Sequence, residues 1–573
     1  MKKILFIVFA FGIIIKPLNA QIGNNTNASF NCSTPNISAN ILELENIRGL
    51  DYSQSDFYIK TYVHVMRKEN DPTSGQSLLG INESLKIAFN DYDPLGINLV
   101  WDGEIDYIDD DSLYQGGSNS TIFSTNNHTD GLDIYLFDQS TYGSGVANDI
   151  GSSSELLLGG WQWNYAENEH VFYAQSRAIT HEIGHVFFLY HTHHGYGQEE
   201  DDDICKECID GDSFNRANCG DFIKDTPPDP QLYLSDVDDV YCDYSGGGND
   251  DCGAPFDPDT SNFMSYAPLS CIENFTTVQI KRMKNAIGYL PFLQDTQLQN
   301  YVYFRGNSSV VCDLLAKEFQ VYSNDVSNLT LETSNNVTLS GVTNNGDNIV
   351  FDVNNNIINA AEGQFGWVIA KRSGQEVARR DFWVGKPQAV PEYTLQGDQS
   401  VTAGDEVIYE IPERLNGTES YVWDYPGDNS LEIWPFTGDT SLWQLDYMSK
   451  HERFSKAQVG PCSGELILYG LNECGEGIED TLDIDSDDDD CEDADIVYYP
   501  NPADDLLQID LSLQDYKVFD IVVYNNNQVA VYTDQSTNVV KTIDTFNLSN
   551  DTYYLHIYDG SELILSKILI INH

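Results

Sequence analysis

The stretch His181-Glu182-Ile183-Gly184-His185-Val186-Phe187-Phe188-Leu189-Tyr190-His191 carries the strongest signal in the chain. His181 and His185 are four residues apart on a helix predicted over about residues 174–189, so both imidazoles leave the same face. Such a pair supplies half of a tetrahedral zinc site, and Glu182 lies beside it as a base for water. His191 completes the set if the helix ends and the chain turns back. The alternative is a core helix that carries these residues by chance.

Outward from this stretch, the overall charge of the chain restricts its partners. The 573 residues include 29 Lys and Arg against 90 Asp and Glu, a formal charge of −61. Such a surface repels nucleic acid and anionic membranes, and it favours hard cations such as calcium. We therefore expect no nucleic-acid partner, and we expect most of the carboxylates to form a solvated surface.

The N-terminus has the pattern of a secretory signal peptide. Met1-Lys2-Lys3 precedes an apolar run over residues 4–15 and a small residue, Ala20. The run is too short to span a bilayer, and the rest of the sequence contains no apolar stretch of about 20 residues. We predict an exported protein without a membrane span.

Hydrophobic periodicity divides the chain into regions that differ in predicted secondary structure and in composition. Alternation over residues 57–66, a helix with Asn82 as its N-cap and strands over 97–101 and 132–137 predict an α/β layer. Residues 195–263 are rich in Gly, Asp and Cys and lack periodicity, and helical spacing returns over 276–289. After residue 294, short strands separated by turns predict β-sandwich modules.

The cysteines point to disulfides in an oxidising compartment. The chain has eleven, so at least one is free, intermolecular or outside the final product, and six fall between residues 205 and 271. Cys205 and Cys208 have CxxC spacing, so a zinc ribbon is the alternative for that pair, although no second CxxC follows.

The histidine pattern resembles the zinc-binding sequence of the metzincin metallopeptidases, and residues 189–192 (Leu-Tyr-His-Thr) are similar to their pappalysin branch, which includes ulilysin- and cytophagalysin-like proteins. Residues 262–266 (Asn-Phe-Met-Ser-Tyr) resemble the family's Met-turn. The resemblance implies that Met264 forms the base of the zinc site and that Tyr266 hydrogen-bonds the tetrahedral intermediate or approaches the zinc. It implies an α+β catalytic domain, with a twisted mixed sheet, backing and active-site helices and a Cys-rich lower subdomain, followed by all-β sandwich modules.

The same resemblance suggests cross-links and a second cation for the lower subdomain. It implies two disulfides, Cys219–Cys252 and Cys242–Cys271. It also suggests bound calcium near four oxygen-bearing residues: Asp225, Thr226, Asp257 and Asp259.

Two departures from the family pattern stand out. Phe188 occupies a position where relatives have glycine, sometimes asparagine, to make a turn with positive φ, which is costly for a bulky side chain. Residues 267–270 (Ala-Pro-Leu-Ser) lack the acidic residue of arginine-preferring relatives, so a preference for basic residues is not supported.

The two ends of the chain carry features of export and latency. Cys32 is a candidate zinc-blocking thiol in a pro-segment, although it lacks the usual following glycine; a disulfide or an idle thiol are its alternatives. Residues 499–502 (Tyr-Pro-Asn-Pro) and the apolar end of the chain resemble the sorting tail of the type IX secretion system of Bacteroidota, which is normally removed after export. The alternative is a third sandwich that stays attached to the protein. The predicted segments are a signal peptide (1–20), a pro-segment (21–55), a catalytic domain (56–294), two Ig-like sandwiches (300–387 and 392–484), an acidic linker (485–495) and a sorting domain (496–573).

Together these features predict a secreted zinc endopeptidase that hydrolyses protein or peptide substrates, with Glu182 as general base, and that uses the type IX secretion machinery as a partner. The rival is an adhesin or binding protein with a degenerate protease domain. In that reading Trp423, Trp434 and Trp443 would bind ligands, although packing in a core is their more common role.

Overall fold

The structure is a computed structural model, and it describes most of the chain beyond residue 40. The described residues are 41–138, 144–164, 169–196, 205–209, 215–232, 236–238, 241–306, 308–313, 315–357, 360–426, 431–432, 436, 443–486, 497–499, 506–510, 518–525, 529–537, 540–546, 548–549, 551–559 and 562–571. The predicted signal peptide, Cys32, Trp434, residues 500–502 and most of the acidic linker lie outside these ranges. Within them, no helix has both the length and the apolarity needed to cross a membrane.

A six-stranded mixed sheet organises the predicted catalytic domain. Its strands are β1 (Phe57–Arg67), β2 (Ile97–Val100), β3 (Asp106–Asp109), β4 (Leu132–Leu136), β5 (Gly145–Ala147) and β6 (Glu155–Leu158). The order is β2-β1-β4-β6-β5, with β3 also paired to β1. All pairings are parallel except that of β5, which runs antiparallel to β6 at the end of the order. A hairpin of β7 (Trp161–Asn164) and β8 (Glu169–Phe172) follows.

Helices pack on both faces of this sheet, and a short one lies in the segment between the sheet and the last helices. They are α1 (Ile41–Arg48), α2 (Leu78–Tyr92), α3 (Asp111–Tyr114), α4 (Asn119–Ile122), α5 (Ala178–Val186), α6 (Asn215–Asn218), α7 (Thr277–Tyr289) and α8 (Pro291–Asp295). Helix α5 packs against α2, where the Tyr92 hydroxyl donates to Thr180 O at 2.8 Å. The prediction of Asn82 as an N-cap was wrong. Ser77 caps α2, and Asn82 lies buried within the helix.

Between α5 and α7 the chain has little regular structure and is cross-linked. The disulfides are Cys205–Cys219, Cys208–Cys252 and Cys242–Cys271. The predicted Cys242–Cys271 pair is present, but the predicted Cys219–Cys252 pair is wrong, because the two cysteines of the CxxC segment each take one of those partners. Both are therefore oxidised, which removes the zinc-ribbon alternative.

A first β-sandwich follows and packs on the catalytic domain. Its strands are β9 (Val302–Gly306), β10 (Val310–Val311), β11 (Lys317–Ser323), β12 (Leu329–Thr333), β13 (Val337–Asn344), β14 (Asn348–Asn355), β15 (Gln364–Arg372) and β16 (Gln375–Val384). They form the sheets β10-β16-β15-β12 and β13-β14-β11-β9. The Asn82 amide donates to Asp381 O at 3.1 Å, and Arg305 pairs with Asp93 at 2.7 Å. A disulfide, Cys312–Cys474, joins the sandwich to a later segment, 472–475, of the same compact unit.

The second compact unit contains a second sandwich and the C-terminal module. The second sandwich has strands β17 (Ser400–Val401), β18 (Glu406–Glu410), β19 (Ser420–Asp424), β20 (Leu431–Glu432), β21 (Gln444–Leu445), β22 (Phe454–Gln458), β23 (Gly464–Asn472), β24 (Gly475–Glu476) and β25 (Asp480–Ser486). Trp423 and Trp443 are buried in its core, so packing and not ligand binding accounts for them.

The C-terminal module is also built from two sheets. Its strands are β26 (Val497–Tyr499), β27 (Leu506–Asp510), β28 (Val518–Asn525), β29 (Ala530–Thr537), β30 (Val540–Asp544), β31 (Asp551–Asp559) and β32 (Glu562–Ile571). The sheets have the orders β26-β27-β30 and β29-β28-β31-β32, and they enclose their own apolar core.

Candidate metal centre and active site

The structure brings the three predicted ligand histidines together at one point. His185 Nε2 lies 3.1 Å from His181 Nε2 and 3.0 Å from His191 Nε2, and all three side chains are buried. Tetrahedral zinc with bonds of about 2.0–2.1 Å holds its ligands roughly 3.3 Å apart. These two distances are within a few tenths of an ångström of that separation, and all three nitrogens lie within 4.8 Å of one another.

Hydrogen bonds at Nδ1 of two of the rings fix Nε2 as the atom that each turns toward the other histidines. His181 Nδ1 donates to Phe263 O at 2.6 Å, and His185 Nδ1 donates to Leu189 O at 2.8 Å. Burial lowers the pKa of His185 to about 4, and burial with the neighbouring imidazoles lowers the pKa of His181 and of His191 well below the ordinary value. With Nδ1 donating in both rings, the Nε2 atoms of His181 and His185 present their lone pairs to each other at 3.1 Å. A cation between them resolves this repulsion, so the donor set fits zinc.

The turn that returns the chain to His191 is made by Phe188 in the left-handed region. Its φ is +75°, the conformation for which glycine is usual. The ring is buried and packs directly over Gly151, where a Cβ would have no room. Leu189 N donates to Gly184 O at 3.0 Å and closes the end of α5. Burial of the ring thus offsets the backbone strain, and the third histidine reaches the other two despite the departure from the family pattern.

Glu182 lies on the same helix and is fixed by the edge strand. Its Oε2 accepts a hydrogen bond of 2.9 Å from Ala147 N on β5. At Gly145, a Cβ would lie 2.7 Å from Glu182 Oε1, so the strand and the carboxylate are in close contact. The carboxylate is buried and belongs to the residue that follows His181 on α5.

Met264 lies beneath α5, on a turn built by buried amides. A Cβ on Gly184 would lie 2.5 Å from Met264 Sδ, so the helix glycine allows the close approach. Asn262 and Gln279 exchange two amide hydrogen bonds of 2.9 and 3.0 Å. Asn262 Oδ1 also accepts from Met264 N at 2.9 Å. The start of α7 therefore positions the predicted Met-turn below the metal centre.

Tyr266 and His193 pack beside His191, and the sequence did not predict the part played by His193. The Tyr266 ring centroid lies 4.9 Å from that of His191 and 4.5 Å from that of His193. His193 stacks on His191 with centroids 4.7 Å apart and planes 9° apart. The run of histidines after His191 was the only available signal, since nothing in the spacing predicted that His193 would contact both groups.

Three of the four residues suggested for calcium make other contacts in the structure. Asp225 accepts from Thr276 Oγ1 at 2.8 Å and from Val278 N at 3.0 Å, which caps α7. Thr226 Oγ1 donates to Asp221, and Asp259 accepts from Ser261. Among the described residues, neither group of side chains with metal-ligand spacing includes them, and calcium stays an unsupported prediction.

Two family models match the chain. Residues 124–288 match the model described as pregnancy-associated plasma protein-A, the pappalysin family of peptidases, and residues 497–572 match the secretion-system C-terminal sorting domain. The first match contains the three histidines, Glu182, Met264 and Tyr266. The second covers the C-terminal module, so the prediction of a type IX sorting tail is supported.

Curated relatives agree with the family models. Mouse pappalysin-1 is 34% identical over 149 residues, which cover 23% of this chain and 8% of that protein. An extracellular metalloprotease of Aspergillus fumigatus is 32% identical over 20% of this chain and 28% of its own length. One of Pyricularia oryzae is 24% identical over 45% of this chain and 88% of its own length. The chain thus spans under a tenth of pappalysin-1 and just over a quarter of the Aspergillus protein.

Solved structures add little to this. The Escherichia coli adhesin FdeC is 12% identical and covers 48% of this chain and 97% of its own, with a TM-score of 0.20, too low to carry an argument. The sorting domain and the extracellular relatives indicate a secreted protein. On the matches of residues 124–288 and 497–572, the chain carries a metallopeptidase domain of the pappalysin family and a type IX secretion sorting domain.

Proposed function

We propose that this chain is a secreted zinc endopeptidase that hydrolyses peptide bonds in protein substrates. The observation that carries the proposal is the convergence of three buried imidazoles, with His185 Nε2 3.1 Å from His181 Nε2 and 3.0 Å from His191 Nε2. Glu182 lies on the same helix as His181 and His185. These residues would hold the zinc ion. When bound, zinc supplies Lewis acidity to the scissile carbonyl and to a nearby water.

The side chains divide the remaining work. Glu182 takes the proton from the attacking water and delivers it to the leaving amine nitrogen. The hydrogen bond from Ala147 N occupies Oε2, and Oε1 serves as the base. Tyr266 donates a hydrogen bond to the oxyanion of the tetrahedral intermediate, which supplies electrostatic stabilisation. Met264 holds the floor of the site.

The substrate would bind as an additional strand along β5. This strand is at the end of the sheet order and makes its antiparallel pairing with β6, so its other edge faces away from the sheet. Extended peptides bind such edges by main-chain hydrogen bonds, which accept many side chains. We infer proteins or peptides as substrates and the type IX machinery as the export partner.

We also infer where the pro-segment ends. Helix α1 lies within the predicted pro-segment 21–55, yet Leu44 and Ile47 are buried in the core of the catalytic domain. The Asn285 amide on α7 donates to Ile47 O at 3.1 Å and to Leu50 O at 2.9 Å. Removal of this helix would expose apolar surface, so the activating cut belongs before Ile41, and Cys32 would leave with the removed segment.

The test measures zinc content and cleavage of a denatured protein by the exported enzyme and by Glu182→Gln. We expect one zinc at the three-histidine site in both proteins and a rate lower by roughly 10²–10⁴ in the variant, since general base catalysis contributes about that much. Glu69→Gln, at an exposed carboxylate, is the matched control and should cleave like wild type.

Two results would count against the proposal. Zinc at the site without cleavage in wild type, even after the segment before Ile41 is removed, would favour a binding protein with a degenerate protease domain. Cleavage unchanged in Glu182→Gln would show that another group acts as the base.

A further inference from the structure

A second group of side chains with metal-ligand spacing lies outside the candidate active site. His64 on β1, Asp133 on β4 and His128 in the preceding loop each offer one ligand atom, and these three atoms all lie within 4.8 Å of one another. His64 and Asp133 are fully buried, and the His128 side chain is 35% exposed. The position is therefore built from the protein interior and open to solvent on one side.

This group lies on the opposite face of the sheet from α5. Side chains alternate between faces along a strand. Val63 and Val65 on β1 and Ile134 on β4 belong to the core that also contains the residues of α5. Their neighbours Met66 and Tyr135 belong to a separate apolar cluster. His64 and Asp133 share the face of Met66 and Tyr135, so the sheet separates them from the three-histidine site.

Each of the three side chains is held in place by a further contact. Asp106 Oδ2 lies 2.8 Å from His64 Nδ1. Asp133 Oδ2 accepts from His128 N at 2.9 Å, and the His128 ring stacks on Tyr62 with centroids 3.5 Å apart. A carboxylate on the outer nitrogen of a histidine is the usual support of a metal ligand. The remaining atoms, His64 Nε2, His128 Nδ1 and Asp133 Oδ1, converge.

The contacts of His64 demand a positive charge at this point. Its two nitrogens face carboxylate oxygens at 2.8 Å each, from Asp106 and Asp133, and a neutral imidazole has only one N–H to donate. His128 Nδ1 points at the same Asp133 oxygen, at 2.7 Å. Either a further proton shared within the group or a metal ion satisfies the arrangement. Three converging donors, with a carboxylate on the outer nitrogen of His64, favour the metal.

We propose that His64, His128 and Asp133 bind a second zinc ion, with water as the fourth ligand. Two imidazoles and one carboxylate are a donor set that zinc accepts. The ion joins the loop that follows α4 to strands β1 and β4, so its role is to fix that connection onto the outer face of the sheet. It takes no part in peptide hydrolysis.

The test compares the zinc content of the exported full-length protein with that of His128→Ala, after gel filtration with excess calcium to displace zinc from surface carboxylates. His128 is partly exposed, so its loss leaves the core packing of β1 and β4 in place. We expect His128→Ala to hold one zinc less per chain than wild type, whatever the total, and to keep its proteolytic rate. His451→Ala, a partly exposed histidine in the second sandwich, should lose none.

A second variant guards against loss of fold. Asp133→Asn keeps the size of the side chain and the acceptor for His128 N but removes the anionic ligand. It should also lose one zinc, and added zinc should raise the melting temperature of wild type more than that of either variant. Equal zinc content in wild type, His128→Ala and Asp133→Asn would overturn the proposal and assign the cluster to a proton-bridged network. Loss of the zinc bound at the three-histidine site would instead be seen as loss of proteolysis.

Discussion

The two halves of the catalytic domain are stabilised in different ways. Residues 57–186 form a sheet with helices over a continuous apolar core. Residues 187–275 have one short helix among the described residues and rely on three disulfides and on aspartates that organise loops. Asp250, for example, accepts from the backbone N–H groups of Ile209, Cys252 and Ala254 at 2.7–3.0 Å.

The proposed active site takes groups from both halves. His181, His185 and Glu182 come from the apolar half, whereas His191, Met264 and Tyr266 come from the cross-linked half. Damage to the apolar half, here called the upper half, would therefore unfold the sheet. Damage to the cross-linked half, the lower half, would leave two ligands and the base on an intact helix. The predictions below test this separation.

The largest effect is expected from removal of Cys242–Cys271 by a double change to serine. The bond closes a loop of 29 residues, and chain entropy gives it about 3.5 kcal/mol. Because the loop contains Met264, we expect the variant to lose zinc at lower denaturant than wild type, before the sheet unfolds. Zinc release and far-UV circular dichroism, followed together, measure the order of events.

The matched control is the double serine variant of Cys312 and Cys474. The bond that it removes closes a longer loop outside the catalytic domain. It should lower overall stability without moving zinc release ahead of sheet unfolding. If zinc release and sheet unfolding stay coincident in the Cys242 and Cys271 variant, the two halves are one cooperative unit and the separation is wrong.

A smaller difference in stability is expected between two variants of Phe188, the residue at the junction between the halves. Replacement by Gly or Ala removes a buried ring, which costs about 3–5 kcal/mol. At φ +75°, however, Gly avoids the strain that Ala keeps. We therefore expect Phe188→Gly to be more stable than Phe188→Ala by about 1 kcal/mol, the reverse of their order inside a helix. Urea unfolding of both variants decides this, and an Ala variant as stable as Gly would contradict the strained turn.

The smallest effect concerns the pH dependence of the lower half. Burial and the nearby Asp221 carboxylate raise the pKa of Glu207, and burial raises the pKa of Asp221. A group whose folded pKa is raised stabilises the fold at low pH, and this stability is lost as the pH rises through that pKa. We expect the melting temperature of wild type to fall more than that of Glu207→Gln between about pH 5 and pH 9. The corresponding difference in the free energy of unfolding is on the order of 1 kcal/mol.

The exposed Glu69→Gln variant should follow wild type in this series. A wild-type profile as flat as that of Glu207→Gln would show that the pair titrates as it does in the unfolded chain.

Regular, apolar elements could be predicted from the sequence because their signals are local. The alternation that predicted a strand over 57–66 corresponds to β1, and the helix predicted over 276–289 corresponds to α7 with Thr276 as its cap. The helix predicted over 174–189 is shorter, 178–186. A separate turn at 173–175 precedes it, and the bend at Phe188 follows it.

Features that depend on distant residues could not be predicted in this way. Asn82 looked like a cap, but its amide is used 299 residues away at Asp381. The partners of Cys219 and Cys252 depend on a loop path without periodicity. His64, His128 and Asp133 come together only through the register of β1 with β4. In each case the controlling contact joins parts of the chain whose separation carries no pattern.

The Cys312–Cys474 bond has a further consequence for a protein exposed to proteolysis outside the cell. It closes a covalent ring of 162 residues that includes most of the first sandwich and nearly all of the second. A single cut inside that ring changes the chain from one piece to two without releasing either piece, since the disulfide still joins them. A nicked molecule would migrate as intact protein until it is reduced, so the modules and the catalytic domain stay tethered through damage that would shed an ordinary C-terminal appendage.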